Sequence, residues 1–214
     1  MHAELLAVRP FDVMNAIGLV AFALVGSAKA IREEFDLFGI AVVGLATAFA
    51  GGMTRDLLVN RVPLALQAPS EIALGMLGVG LALGLNVVLD SPDEHPATVL
   101  SDAIGLAAFA TAGAIVASAA GVSGFGVVAI ATINAVGGGA LADLLMSRPP
   151  FVLFEDFYAS CAVLGGTAYW ATTVVGGLPA SAAVVCATVT VTARVVAVYF
   201  GWELPTAQRL QSSS

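Results

Sequence analysis

The sequence predicts an all-α membrane protein with seven transmembrane helices, arranged as two inverted three-helix repeats plus a seventh helix. Three observations carry this. Of the 214 residues, 59% are hydrophobic and 11% are charged, more apolar surface than a soluble domain can bury. The apolar runs are continuous rather than alternating, which excludes a β-barrel. The chain also matches itself at a fixed spacing: Gly51 and Gly138, like Asp56 and Asp143, stand 87 residues apart.

A spanning helix needs about 20 apolar residues. Seven runs qualify, with edges uncertain by a few residues: Val13–Ile31, Phe38–Asn60, Glu71–Leu89, Ser101–Ala119, Phe125–Ser147, Asp156–Val175 and Ala180–Phe200. Turn signals separate them, among them Val62-Pro63, the acidic stretch around Asp93-Glu94, Arg148-Pro149-Pro150 and Gly176-Gly177-Leu178-Pro179. The segment before Pro10 carries Glu4 and Arg9, and the run after it is long enough to stay in the bilayer, so no cleaved signal is expected.

Laying Ala16–Pro63 on Ala103–Pro150 without a gap brings Phe22 onto Phe109, Phe38-Gly39 onto Phe125-Gly126 and Arg61 onto Arg148. Low complexity accounts for matched Ala and Leu, not for these residues in one register. The expected organisation is a single transmembrane domain over residues 1–214. Its first repeat covers about 11–90, its second about 98–175, and the seventh helix about 179–202. Three helices per repeat is an odd number, so the second copy enters the bilayer from the opposite face, with a pseudo-twofold axis in the membrane plane.

Composition narrows function. A net charge of −7 with eight Lys and Arg leaves nothing to neutralise phosphates along an extended face, so no nucleic acid is expected. Cys161 and Cys186 lie in apolar runs without metal-ligand spacing and read as buried small residues. No nucleophile elbow, phosphate loop or metalloprotease motif appears. Asp56 and Asp143 could share a proton as an intramembrane aspartyl protease pair does, but their flanks do not fit that family. The reading is a non-enzyme without cofactor or metal.

The candidate site centres on the stretch Ala48 to Leu58 and its copy, Ala135 to Leu145. Gly51 and Gly52, and Gly137, Gly138 and Gly139, weaken the helices that hold them. One reading is an unwound, kinked segment, tolerated in a membrane only beside a water-filled path. The other is close helix packing. Asp56 and Asp143 follow each glycine group and read either as caps of a restarted helix or as cation-attracting groups of a pathway. Thr47 and Asn134 occupy matched positions one turn earlier, where they would line a polar path or satisfy freed backbone groups. Arg55 reads as snorkelling or as pairing with an acid, and Lys29, the only lysine, as an interfacial anchor or a gate. Arg194 is expected to snorkel. Glu71, Glu155 and Asp156 are expected to cap helix starts.

Taken with Asp36-Leu37-Phe38-Gly39, the motif Gly51-Gly52-Met53-Thr54-Arg55-Asp56-Leu57-Leu58, its Gly137-Gly138-Gly139 copy and the ending Arg194…Gly201-Trp202-Glu203-Leu204-Pro205, the chain resembles the prokaryotic branch of the trimeric intracellular cation (TRIC) channel family. Part of that branch is also labelled a putative glycine transporter family. The resemblance implies a homotrimer with a pore in each protomer, shaped by glycine kinks in the second and fifth helices and passing potassium or other monovalent cations. Asp56 and Asp143 would bias the pore towards cations, and Lys29 and Arg55 would gate or tune it. Ala142 departs from the pattern, standing where relatives often repeat the Arg. The basic phosphoinositide-binding motif of eukaryotic members is absent, so that ligand is not expected. A carrier for a small zwitterion such as glycine is the alternative, and a scaffold with packing glycines a third. The expected location is the plasma (inner) membrane of a prokaryote, with the N-terminus outside and the C-terminus cytoplasmic, from the placement of Lys29, Arg32, Arg148 and Arg209.

Overall fold

In the computed structural model, which describes residues 9–88, 96–153, 157–202 and 204, every regular element among those residues is helical. Helix α1 spans Pro10–Arg32, α2 Leu37–Leu58, α3 Pro69–Val88, α4 Pro96–Ala119, α5 Gly124–Leu145, α6 Tyr158–Val174 and α7 Pro179–Phe200. Short 3-10 turns, Leu64–Leu66 and Phe151–Leu153, precede α3 and α6. Six of these helices are long and apolar enough to cross a membrane; α6, at 17 residues, is shorter. The chain is a multi-pass membrane protein. The readings placed on Glu155, Asp156, the Asp93-Glu94 stretch, Glu203, Pro205 and Arg209 lie outside the described residues.

Local chemistry sets the helix ends, and it does so twice. The Asp36 carboxylate accepts the Gly39 N–H at 2.8 Å to start α2, and the Ser123 hydroxyl accepts the Gly126 N–H at 3.2 Å to start α5. At the far ends, the Arg61 N–H donates to the Asp56 carbonyl and the Arg148 N–H to the Asp143 carbonyl, both at 2.8 Å. Asn60 and Ser147 turn the chain there with φ of 57° each, the left-handed residue that ends a helix by capturing its last carbonyls. Every one of these pairs is separated by the 87-residue spacing.

Helices α1 and α4 form the centre. Of their apolar stretches 61% and 67% is buried, against 22% for α3 and α7, so the outer helices wrap this pair and turn their remaining faces to lipid. Where α1 and α4 meet, Phe22 and Phe109 stand edge to face with centroids 5.1 Å apart. Each ring fills the notch left by a glycine on the other helix: Phe109 lies against Gly18 and Phe22 against Gly105. Chain direction alternates, so α1, α3, α5 and α7 start at the amino-terminal face and α2, α4 and α6 start at the opposite face. α1 and α4 therefore run in opposite senses, which inverts the two three-helix repeats. Helix α7 stands outside that symmetry, packed on α6 and α4. Its end is fastened by the Phe157 N–H donating to the Trp202 carbonyl at 3.4 Å and by their edge-to-face rings at 5.6 Å.

Because lipid is as apolar as Phe, the ring at position 109 stabilises by filling space rather than by leaving water. Phe109→Ala should lower unfolding free energy in mixed detergent micelles by about 2 kcal/mol, the cavity part of a large-to-small change. Unchanged stability would mean the central pair is not the core.

Candidate functional site

The glycines expected to unwind their helices do not. Helices α2 and α5 run unbroken through Gly51-Gly52 and Gly137-Gly138-Gly139. The glycines instead let two backbones touch. A Cβ on Gly51 would run into the Asn134 carbonyl, and one on Gly138 into the Thr47 carbonyl; one on Gly137 would sit 3.3 Å from the Gly51 Cα. The physical reason favours packing: an unpaired peptide group in hydrocarbon costs several kcal/mol, whereas small residues bring helices together without breaking any bond. Gly52 and Gly139 point elsewhere. A Cβ on Gly52 would lie 3.8 Å from both an Arg55 guanidinium nitrogen and Asn134 Oδ1, and one on Gly139 would meet the Phe151 ring at 3.1 Å.

Asp56 and Asp143 cap, but not a restarted helix. Each sits two residues before its helix ends and reaches forward. Asp56 Oδ2 accepts the Leu64 N–H at 3.0 Å, and Asp143 Oδ2 accepts the Phe151 N–H at 2.9 Å. Each carboxylate thus pins the following 3-10 turn. The remaining oxygen of each takes a cation: Arg55 Nε donates to Asp56 Oδ1 at 2.8 Å, and Lys29 Nζ lies 3.4 Å from Asp143 Oδ1. Arg55 does not snorkel: it is 2% exposed, sits over the Phe11 ring at 5.2 Å and leaves Nη1 buried without a protein partner. Lys29 also turns inward, over the Phe151 ring at 4.4 Å.

Thr47 and Asn134 are both buried at the crossing. The Thr47 hydroxyl donates to the Val43 carbonyl within its own helix at 2.7 Å. Asn134 Nδ2 donates to the Phe109 carbonyl of α4 at 2.6 Å, while its Oδ1 is buried without a partner. Neither satisfies a carbonyl freed by unwinding, because none is freed.

Cavities lie on both sides of this crossing. On the amino-terminal face an open cavity of about 740 Å³ is lined by Phe11, Arg61, Leu64, Gln67 and Val116, with Arg55 and Asp56 also in its wall. Arg55 and Asp56 also border a small cavity with Asn15, Gly52, Glu71 and Phe109. A second small cavity holds Phe22, Lys29, Thr47, Asp102, Gly139, Phe151 and Tyr158. Each small cavity is about 10 Å³, room for about one water. The spacing of 87 carries Asn15 to Asp102, Gly52 to Gly139, Leu64 to Phe151 and Glu71 to Tyr158, so the two are the same place in the two repeats.

Four polar residues of these cavities escaped the sequence reading as site residues. Asn15 Nδ2 donates to Glu71 Oε2 at 2.8 Å, so Glu71, in the first turn of α3, is bonded to the neighbouring helix α1. In the matched place the Tyr158 hydroxyl donates to Asp102 Oδ1 at 2.9 Å. Arg194, expected to snorkel, instead points at Asp102, with Nε 3.8 Å from Oδ2. The sequence signal for these residues lies at matched positions whose residues differ, Asn15 with Asp102 and Glu71 with Tyr158, where identity between the repeats is lost.

Comparison with known proteins fits this arrangement. The family model described as "Glycine transporter" matches residues 12–86 and again 99–174, one match per repeat. The UPF0126 membrane protein YvgT of Bacillus subtilis is 35% identical over 197 residues, covering 91% of this chain and 95% of that protein. The UPF0126 inner membrane protein YadS of Escherichia coli K12 is 30% identical over 164 residues, covering 73% and 78%. A solved TRIC cation channel superposes with a TM-score of 0.85 at 33% identity, over 92% of this chain and 96% of that one. The TRIC orthologue from Rhodobacter sphaeroides gives 0.80 at 27% identity, over 90% and 98%. Matched along both repeats and superposed over nearly its whole length, the chain belongs to the TRIC family, whose model carries the description glycine transporter.

Proposed function

We propose that this protein is a cation channel conducting potassium-type monovalent cations through a path inside each protomer of a homotrimer. The observation that carries the reading is a series of cavities with charged side chains in largely apolar walls: the open cavity, the small cavity at Arg55 and Glu71 that shares Arg55, Asp56 and Leu64 with it, and, beyond the α2–α5 crossing, the matched cavity at Lys29 and Asp102. The likeness to solved TRIC cation channels supports it. Conduction needs weak, serial sites rather than one tight pocket, and one or two carboxylates beside space for one water suit that need. In this reading the crossing is shut in the present conformation, Arg55 and Lys29 are gating cations, Thr47 and Asn134 mark the constriction, and Asp56 and Asp143 attract cations while pinning the turns. The glycines act by setting helix separation rather than by unwinding. The membrane is the inner membrane of a prokaryote, with the N-terminus outside.

A carrier for a small zwitterion such as glycine is the second reading. One observation favours it: Arg55 offers an unpartnered Nη1 beside an open cavity, a place for a carboxylate.

Planar bilayers holding the purified protein under a potassium chloride gradient separate the two. Discrete openings that reverse near the potassium equilibrium potential are expected; silent bilayers with glycine counterflow in liposomes would establish the carrier instead. Arg55→Gln should raise potassium conductance about twofold or more by removing a fixed positive charge from the path; an unchanged current would take Arg55 out of the pathway. Gly138→Ala, whose methyl group has only the Thr47 backbone to displace, should lower stability by about 1–3 kcal/mol and shift open probability. A variant with wild-type melting and wild-type gating would remove the crossing as the constriction.

A further inference from the structure

Asp102 stands between a cavity and an incompletely bonded guanidinium. On one side it lines the small cavity with Lys29, Thr47 and Tyr158. On the other, Arg194 approaches from α7, outside the cavity wall. Its Nε is 3.8 Å from Asp102 Oδ2, too long for a hydrogen bond. Its guanidinium lies over the Tyr158 ring at 4.6 Å, and its Nη1 is buried without a protein partner. Lys29, the other cation nearby, is engaged by Asp143 and the Phe151 ring.

The matched cavity sharpens the comparison. There Glu71 is the carboxylate, Asn15 its neutral donor, and Arg55 a guanidinium inside the cavity wall, bonded to Asp56. In the second repeat Asp102 is the carboxylate and Tyr158 the neutral donor, but Ala142 stands where Arg55 would be. The guanidinium is supplied by a helix that belongs to neither repeat, and from behind the carboxylate.

We infer that Asp102 is a monovalent-cation ligand in this half of the pathway, and that Arg194 is the positioning residue that sets its strength by partly neutralising it. The inference rests on the cation-path reading. Hard monovalent cations take oxygen ligands. The cavity offers the Asp102 carboxylate and the Thr47 hydroxyl oxygen, whose proton is already given to Val43. A potassium ion is about the size of the single water the cavity admits. An arginine held by a ring face and by charge at a distance weakens the field at Asp102 without occupying its lone pairs. With the guanidinium removed, a partly buried carboxylate keeps only Lys29 nearby, which Asp143 already engages, and a mobile cation from the pathway takes the place of the lost counter-charge.

The test is the melting temperature of the purified full-length protein in detergent, with potassium chloride exchanged for choline chloride at constant ionic strength. Arg194→Gln should show saturable stabilisation by potassium, with an apparent affinity about tenfold tighter than wild type. Adding Asp102→Asn should abolish that gain, and Arg194→Lys, which keeps the charge, should behave as wild type. A gain that survives Asp102→Asn overturns the inference, as does an Arg194→Gln titration indistinguishable from wild type. Should Arg194→Gln not fold, Asp102→Asn alone decides: a lost potassium response supports the site, and an unchanged one overturns it. Potassium binding that depends on Asp102 in protein that is silent in bilayers would support the site while ending the channel reading.

Discussion

At the middle of the molecule the backbone of α2 meets the backbone of α5 with no side chain between them: Gly51 lies beneath the Asn134 carbonyl and Gly138 beneath the Thr47 carbonyl. This contact fixes the rotation of both helices. Once Gly51 and Gly138 face the partner helix, Gly52 and Gly139 must turn towards the small cavities, and Asp56 and Asp143 fall at the helix ends nearest the 3-10 turns. Thr47 and Asn134 are buried at the crossing for the same reason. A methyl group at either touching glycine would have to displace backbone, which, unlike a side chain, has nowhere to rotate. The cavities therefore have their walls defined by two glycines and their chemistry by what lies one turn beyond.

The inverted frame is close to symmetric in backbone and unlike in charge. Both acid clamps hold the first N–H of the turn that follows, but they find their cations differently. Asp56 uses its neighbour Arg55; Asp143, followed back along α5, meets Ala142 and borrows Lys29 from α1. The second clamp therefore joins the two repeats. Arg148 and Glu33 join them again at the same face. The position matching Glu33 is Ala120, so Arg61, the match of Arg148, has no such acid opposite it. Among the described residues, one face of the bundle is laced across the repeats by ion pairs and the other is not. The open cavity lies on the unlaced face, where Arg61 is part of its wall.

Much of this was legible in the sequence because membrane helices declare themselves by length and hydropathy, and because a repeat with a constant spacing is visible without coordinates. All seven helices fall within a few residues of the predicted runs, apart from α4, which starts five residues earlier. Asp56, Asp143, Arg55 and Lys29 were visible as charges inside apolar runs. What was not legible was geometry. A glycine pair in a span has two physical outcomes, unwinding or contact, and only the facing helix decides between them; Asn134 and Thr47 present carbonyls there. Asn15, Asp102, Glu71 and Tyr158 were hidden by substitution: the same hydrogen bond recurs with its carboxylate moved from α3 to α4, so identity at the matched positions was lost while the contact was kept. Arg194 departs from the expected snorkelling because its partner lies on another helix: a lone arginine near a helix end usually reaches the headgroups, and nothing in α7 alone reveals an aspartate on α4.

Every buried charge near the crossing already has an internal partner, and this bears on how a mobile cation could pass. A fully compensated set in hydrocarbon would be a permanent seal, since breaking any pair leaves an unpaired charge that costs several kcal/mol. Here the compensation is incomplete by design of the contacts. Arg55 and Arg194 each keep one nitrogen without a partner, Asn134 keeps its Oδ1 free, and the Arg194–Asp102 pair stops short of a hydrogen bond. Groups left in that condition lose less when they exchange a fixed partner for an ion or a water. The two states of such a site lie closer in energy than those of a fully bonded pair, which is the condition for a shift of population by a modest stimulus. Arg55 and Asn134 carry their unsatisfied atoms beside the α2–α5 crossing, and Arg194 carries its own behind Asp102 at the second small cavity, so bonding is incomplete in both halves of the molecule.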